Sequence, residues 1–177
     1  MIDKTLLKPG MVIVVRGTSW VSKLIEVGSV LRELPSASHI AVVTHQDAAS
    51  TWWGKEGRPG GVGDADLTRY IRNPRSICNF EQPLEWSQQN QVVSTVKLLN
   101  GTPYDWRAIF EDTLLGLGLK DIWKEKINGL VPGHVVCSSL AAYAYDKAGA
   151  KAPSPNDYRH VFPADWTAFI ESRGWQK

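Results

Sequence analysis

Two short apolar runs, Met11-Val12-Ile13-Val14-Val15 and His39-Ile40-Ala41-Val42-Val43-Thr44, lie near the start of the chain, and the clearest late patterns are helical. An apolar run this short, closed by a turn signal, reads as a buried strand. Lys8-Pro9-Gly10 is that turn for the first run, and the small residues Ser36-Ala37-Ser38 lead into the second. Ser50-Thr51-Trp52-Trp53 reads as a third short strand, Gly57 to Gly63 as a Gly-rich loop, and Ser76-Ile77-Cys78-Asn79-Phe80 as a fourth strand. Trp20, Leu24, Val27, Leu31 and Leu34 fall at helical spacing before Pro35, and Val92, Val93, Val96 and Leu99 repeat that spacing between Ser87 and Gly101. Cys137 to Ala148 reads as an Ala-rich buried helix stopped by Gly149, and a last helix after Pro163 carries Trp166, Phe169 and Ile170. Strands early and helices late predict an α+β fold.

The length of 177 residues predicts a single domain, 1–177, with a partly helical segment at about 106–133. The 43% hydrophobic content and 8 Trp exclude disorder, and 2 Cys cannot staple a chain this long. With 20 basic against 18 acidic residues, charge gives no argument for a nucleic-acid partner. No stretch approaches the ~18 apolar residues of a membrane span. No long apolar run follows Met1-Ile2-Asp3-Lys4, so neither a signal peptide nor an integral membrane segment is expected. Cys and His are too scattered for a metal-ligand set, and Gly60-Gly61-Val62-Gly63-Asp64 lacks the Lys-Ser/Thr ending of a phosphate loop. No metal and no cofactor are expected.

Cys137 is the first candidate for chemistry. It follows Val135-Val136 and precedes Ser138-Ser139-Leu140-Ala141-Ala142, which sets it in the first turn of a helix. The unpaired N–H groups and dipole there favour thiolate over thiol, as a nucleophile requires. The competing reading is a small buried hydrophobe. Among His39, His45, His134 and His160, His39 has the most suggestive setting, at the mouth of an apolar strand directly after three small residues. His45 lies roughly 20 Å further along the same strand at ~3.3 Å per residue and cannot share the role.

Leu7-Lys8-Pro9-Gly10-Met11-Val12-Ile13-Val14 followed by Ser38-His39-Ile40-Ala41-Val42-Val43 resembles the strand and histidine-strand signature of NlpC-type cell-wall peptidases, which are papain-like cysteine enzymes. Gly101-Thr102-Pro103-Tyr104-Asp105-Trp106 is similar to the G-x-P-Y-x-W segment that precedes their nucleophile, and Val136-Cys137-Ser138-Ser139-Leu140 to their D-C-S-x-L segment. The His precedes the Cys here, the order of the circularly permuted branch that includes YiiX-like proteins and the lecithin:retinol acyltransferase group. The matched blocks run from about Leu7 to Gly149.

The resemblance implies a papain-like fold with a small antiparallel sheet packed against the Cys helix. It also implies a cysteine peptidase or amidase acting on an amide bond, with peptidoglycan stem peptides as the expected partner. Cys137 would be the nucleophile and His39 its base. Tyr104 and Ser138 would lie in the substrate or oxyanion region. A third polar group is expected on the strand after the histidine strand, and Thr51 is nearest to that place, with Ser50 second. Trp52, beside Trp53 and Gly54, is a candidate for stacking on substrate.

Two other functions remain open: a lipid acyltransferase or thioesterase, which the apolar residues of 106–133 would suit as a lid, and a binding module with a weakened site. The bland reading of 106–133 is a helical hairpin completing the core. A wall enzyme without an export signal would need delivery by a phage particle or a secretion system.

Overall fold

The computed structural model describes residues 1–15, 37–78, 84–105, 135–153 and 161–172. The helix expected over 20–34, the segment 106–133, His134 and His160 lie outside these residues. The strands are β1 (Val12–Val15), β2 (His39–Gln46), β3 (Trp52–Arg58), β4 (Gly61–Asp66) and β5 (Ile77–Cys78). The helices are α1 (Thr68–Arg72), α2 (Trp86–Leu98), α3 (Cys137–Lys147) and α4 (Pro163–Glu171). The five strands form one sheet in the order β4-β3-β2-β1-β5, with every pairing antiparallel. The expected α+β class is what the described residues form.

The Val-Ile-Val-Val run of β1 is buried throughout because both faces of the sheet are covered. Side chains alternate across a strand. Val12, Val14, Ile40 and Val42 therefore join Val92, Val96, Leu140, Tyr145 and Trp166 on the helical face. Ile13, Val15, Ala41 and Val43 join Ile2, Leu7, Met11, Leu67, Tyr70 and Ile71 on the other. α3 packs on β2 and β3 and also touches α2 and α4. Tyr145 Oη donates to the Gly10 carbonyl at 2.9 Å, and Trp166 Nε1 donates to the Ser138 carbonyl at 3.3 Å. These two bonds tie α3 to the turn before β1 and to α4.

The structure corrects the reading of residues 50–63. The third strand starts at Trp52 and continues to Arg58, and the Gly-rich stretch forms the end of that strand, the hairpin turn and the start of β4. Arg58 pairs with Gly61, so Pro59-Gly60 is a two-residue turn. Proline fixes its own φ, and Gly60 takes φ +106°, which only glycine adopts without strain. Polar residues inside β3 hid this strand: Lys55 is buried, but its ammonium reaches Asn100 Oδ1 at 2.5 Å and Asp64 at 3.0 Å.

Candidate active site

The position of Cys137 is set from both sides of the chain. Tyr104 forms a parallel bridge with Val135, with Asp105 N–H donating to the Val135 carbonyl at 3.0 Å and Val135 N–H to that of Pro103 at 3.1 Å. Just upstream, Val62 N–H donates to the Thr102 carbonyl at 2.9 Å, and Gly101 N–H to that of Val62 at 2.8 Å. The hairpin edge, the Tyr104 segment and the approach to α3 are thus stitched together. Two residues after Val135, α3 begins at Cys137, as the sequence predicts. Ser139 Oγ accepts from Val136 N–H at 3.0 Å and fixes the first turn.

Gly57 makes the close approach possible. A Cβ there would lie 3.2 Å from Cys137 N, 3.4 Å from its Cα and 3.4 Å from Tyr104 Cδ2. The start of α3 therefore packs directly on the backbone of β3, one residue beyond Glu56.

His39 opens β2 and its side chain is 20% exposed. Its Nε2 lies 2.6 Å from Glu56 Oε2, and the Cys137 sulfur is near enough to its ring to influence its protonation. With Nε2 committed to Glu56, Nδ1 is the nitrogen left for Cys137. Burial disfavours the imidazolium, but the negative charge on Cys137 and its hydrogen bond, then the hydrogen bond and charge of Glu56, outweigh that and raise His39 from 6.5 to about 9.

Glu56 is fully buried and has four partners. Tyr70 Oη donates to Oε2 at 2.5 Å, Arg69 Nη2 donates to Oε1 at 3.1 Å, and Arg58 pairs with Oε1. Burial would raise this carboxyl, but the hydrogen bond and charge of His39, the Tyr70 hydroxyl and the Arg58 charge bring it down to about 2. Tyr104 also lies against the start of α3. Burial first, then the charge of Cys137 and its hydrogen bond, push the Tyr104 phenol well above the usual range.

Of the residues expected from sequence, Cys137, His39 and Tyr104 come together. Thr51 does not join them. It precedes β3 at the far end of the sheet, and its N–H donates to Asp47 Oδ1 at 2.8 Å. The partner of His39 is Glu56 instead, a carboxylate in place of the expected hydroxyl. Trp52 also lies away from Cys137, in the opposite apolar cluster, where with Thr51 it lines a separate cavity of about 600 Å³. Ser138 is buried beside Cys137, and its carbonyl holds α4 through Trp166. Glu56 escapes the sequence reading because the third strand reads only as far as Trp53. The hairpin signal of Pro59-Gly60 would have extended the strand to include it.

No family model matches the chain. It is similar to L-aspartate oxidase 2-a, chloroplastic, of Nicotiana tabacum, at 29% identity over 94 residues, covering 47% of this chain and 15% of that protein. The chain thus spans about 15% of the length of this curated relative, and the likeness assigns no activity. Among the described residues no group of three His, Cys, Asp or Glu side chains is arranged to hold a metal ion, and no helix is long and apolar enough to cross a membrane.

Proposed function

We propose that the protein is a cysteine hydrolase of the circularly permuted NlpC-type, papain-like group, cleaving an amide bond in peptidoglycan stem peptides. The observation that carries this reading is the chain of contacts Cys137–His39–Glu56: sulfur, imidazole and a buried ionised carboxylate joined in series. A buried Cys serving only as packing has no need of a charged imidazole and a charged carboxylate behind it.

The Cys137 thiolate attacks the carbonyl carbon and forms a C–S bond while the carbonyl electrons move to oxygen. The N–H of Cys137, at the start of α3, donates to that oxyanion, and the Tyr104 hydroxyl, near the sulfur, supports it. His39 gives its proton to the leaving nitrogen as the C–N bond breaks, leaving a thioester. Water then attacks the thioester, giving its proton to His39, and the acid product leaves as the thiolate is restored. Glu56 holds the imidazole in one orientation throughout and offsets its positive charge.

The test is incubation of the protein with purified peptidoglycan, with released stem-peptide fragments measured by mass spectrometry. Wild type is expected to release fragments and Cys137→Ala none. Equal release by both proteins contradicts the reading. Labelling of Cys137 by a long-chain acyl probe, with no wall cleavage, would move the assignment to lipid acyl transfer.

A further inference from the structure

We propose that a groove on the far side of Glu56 from His39 is a recognition subsite for a group carrying a carboxylate and an ammonium together on one carbon, as a free amino acid does. Its role as a substrate subsite rests on the hydrolase reading above; its binding chemistry does not. Arg58, Asp64, Asp66 and Arg69 line the groove, which has a volume of about 270 Å³. That is slightly below the ~300 Å³ where ordinary ligand pockets begin and suits one small polar group.

The lining residues carry two positive and two negative charges, yet neither arginine forms an ion pair with either aspartate. Each arginine is anchored from the inside. Arg58 and Arg69 both direct Nη2 to Glu56 Oε1, Arg58 Nη2 also reaches the Asp64 carbonyl at 3.1 Å, and Arg69 Nη2 reaches Tyr70 Oη at 2.6 Å. Arg58 Nε is buried without a hydrogen-bond partner. The aspartates are anchored as well, Asp66 also by the Thr68 side chain. Asp64 Oδ1 takes Lys55 at 3.0 Å, and Asp66 Oδ1 takes the Thr68 N–H at 2.8 Å. Four charged groups are thus each held in place by contacts within the protein while lining the groove.

A lone anion in the groove would meet both aspartates, and a lone cation both arginines. A group bearing both charges satisfies the two pairs at once, with charge-assisted hydrogen bonds to each. The groove is separated from His39 by a single carboxylate, since Oε1 of Glu56 faces the arginines and Oε2 faces the imidazole.

The test is an NMR titration of the full-length Cys137→Ala protein, which turns over no amide, with alanine, N-acetylalanine and alaninamide. Alanine is expected to shift the backbone amides between Arg58 and Arg69. The two singly charged analogues are expected to bind about tenfold more weakly. Arg69→Gln should weaken alanine and N-acetylalanine but leave alaninamide unaffected, and Asp66→Asn should weaken alanine and alaninamide but leave N-acetylalanine unaffected. Unchanged spectra outside the groove establish that each variant is folded. Absence of shifts in the groove, or equal binding of all three probes, overturns the proposal. Groove binding without wall cleavage by wild type would refute the hydrolase reading and leave the site standing; cleavage without groove binding would do the reverse.

Discussion

Glu56→Gln is the substitution whose consequence follows most directly from the structure. The side chain is fully buried, and its carboxyl is brought down from 4.5 to about 2 by its partners. At about 1.4 kcal/mol per pH unit, this depression makes the ionised group worth about 3 kcal/mol to the folded state. The sign follows from its direction. A carboxyl depressed in the folded state contributes its full stability above its unfolded value of 4.5 and loses it as pH falls through about 2. Glutamine fills the same space but cannot titrate. The assay is urea unfolding of wild type and variant across this window, with the difference between the two curves taken at each pH. Subtraction removes the contributions of Asp3, Asp47 and Asp66, which are also lowered by hydrogen bonds but remain in both proteins. The difference is expected to favour wild type by about 3 kcal/mol at most above pH 4.5 and to shrink towards pH 2. Parallel curves through the window would refute the argument, because they would mean that Glu56 is not held ionised by His39, Tyr70 and the arginines.

Other expectations concern activity and packing. The rate of wall cleavage should follow a bell-shaped pH profile whose basic limb lies near 9, where His39 loses its proton; Glu56→Gln should move that limb to lower pH, because the Glu56 hydrogen bond and charge help to raise His39. Gly57→Ala sets a methyl 3.2 Å from Cys137 N, so the start of α3 must shift; kinetics should show a loss on the order of tenfold in kcat/KM, whereas Gly63→Ala, which meets nothing within 4 Å, should match wild type. Tyr104→Phe removes the hydroxyl at the sulfur and keeps the ring, and single-turnover rates should fall by on the order of a hundredfold if that hydroxyl supports the oxyanion.

What was legible in the sequence was whatever depends on local chemistry. The β-branched runs of β1 and β2 could only be buried strands, and Val-Val before an Ala-rich segment marked the start of α3 at Cys137. The Tyr104 neighbourhood was legible through its likeness to a known segment. Glu56 was not. In isolation Gly54-Lys55-Glu56-Gly57 has the look of a surface loop, because a buried lysine and a buried glutamate are costly unless paired. Their partners are Asn100 and Asp64 for one, and His39, Arg58, Arg69 and Tyr70 for the other. All but Arg58 lie nine or more residues away, so the strand becomes visible only when the fold supplies them.

The central claim is that His39 and Cys137 share a proton as base and nucleophile. It is tested most directly by following the His39 ring resonances against pH in wild type and in Cys137→Ala, since the sulfur is the largest influence raising that imidazole. The account predicts a midpoint near 9 in wild type and a clear fall on removal of the sulfur. A midpoint that stays where it was would contradict it.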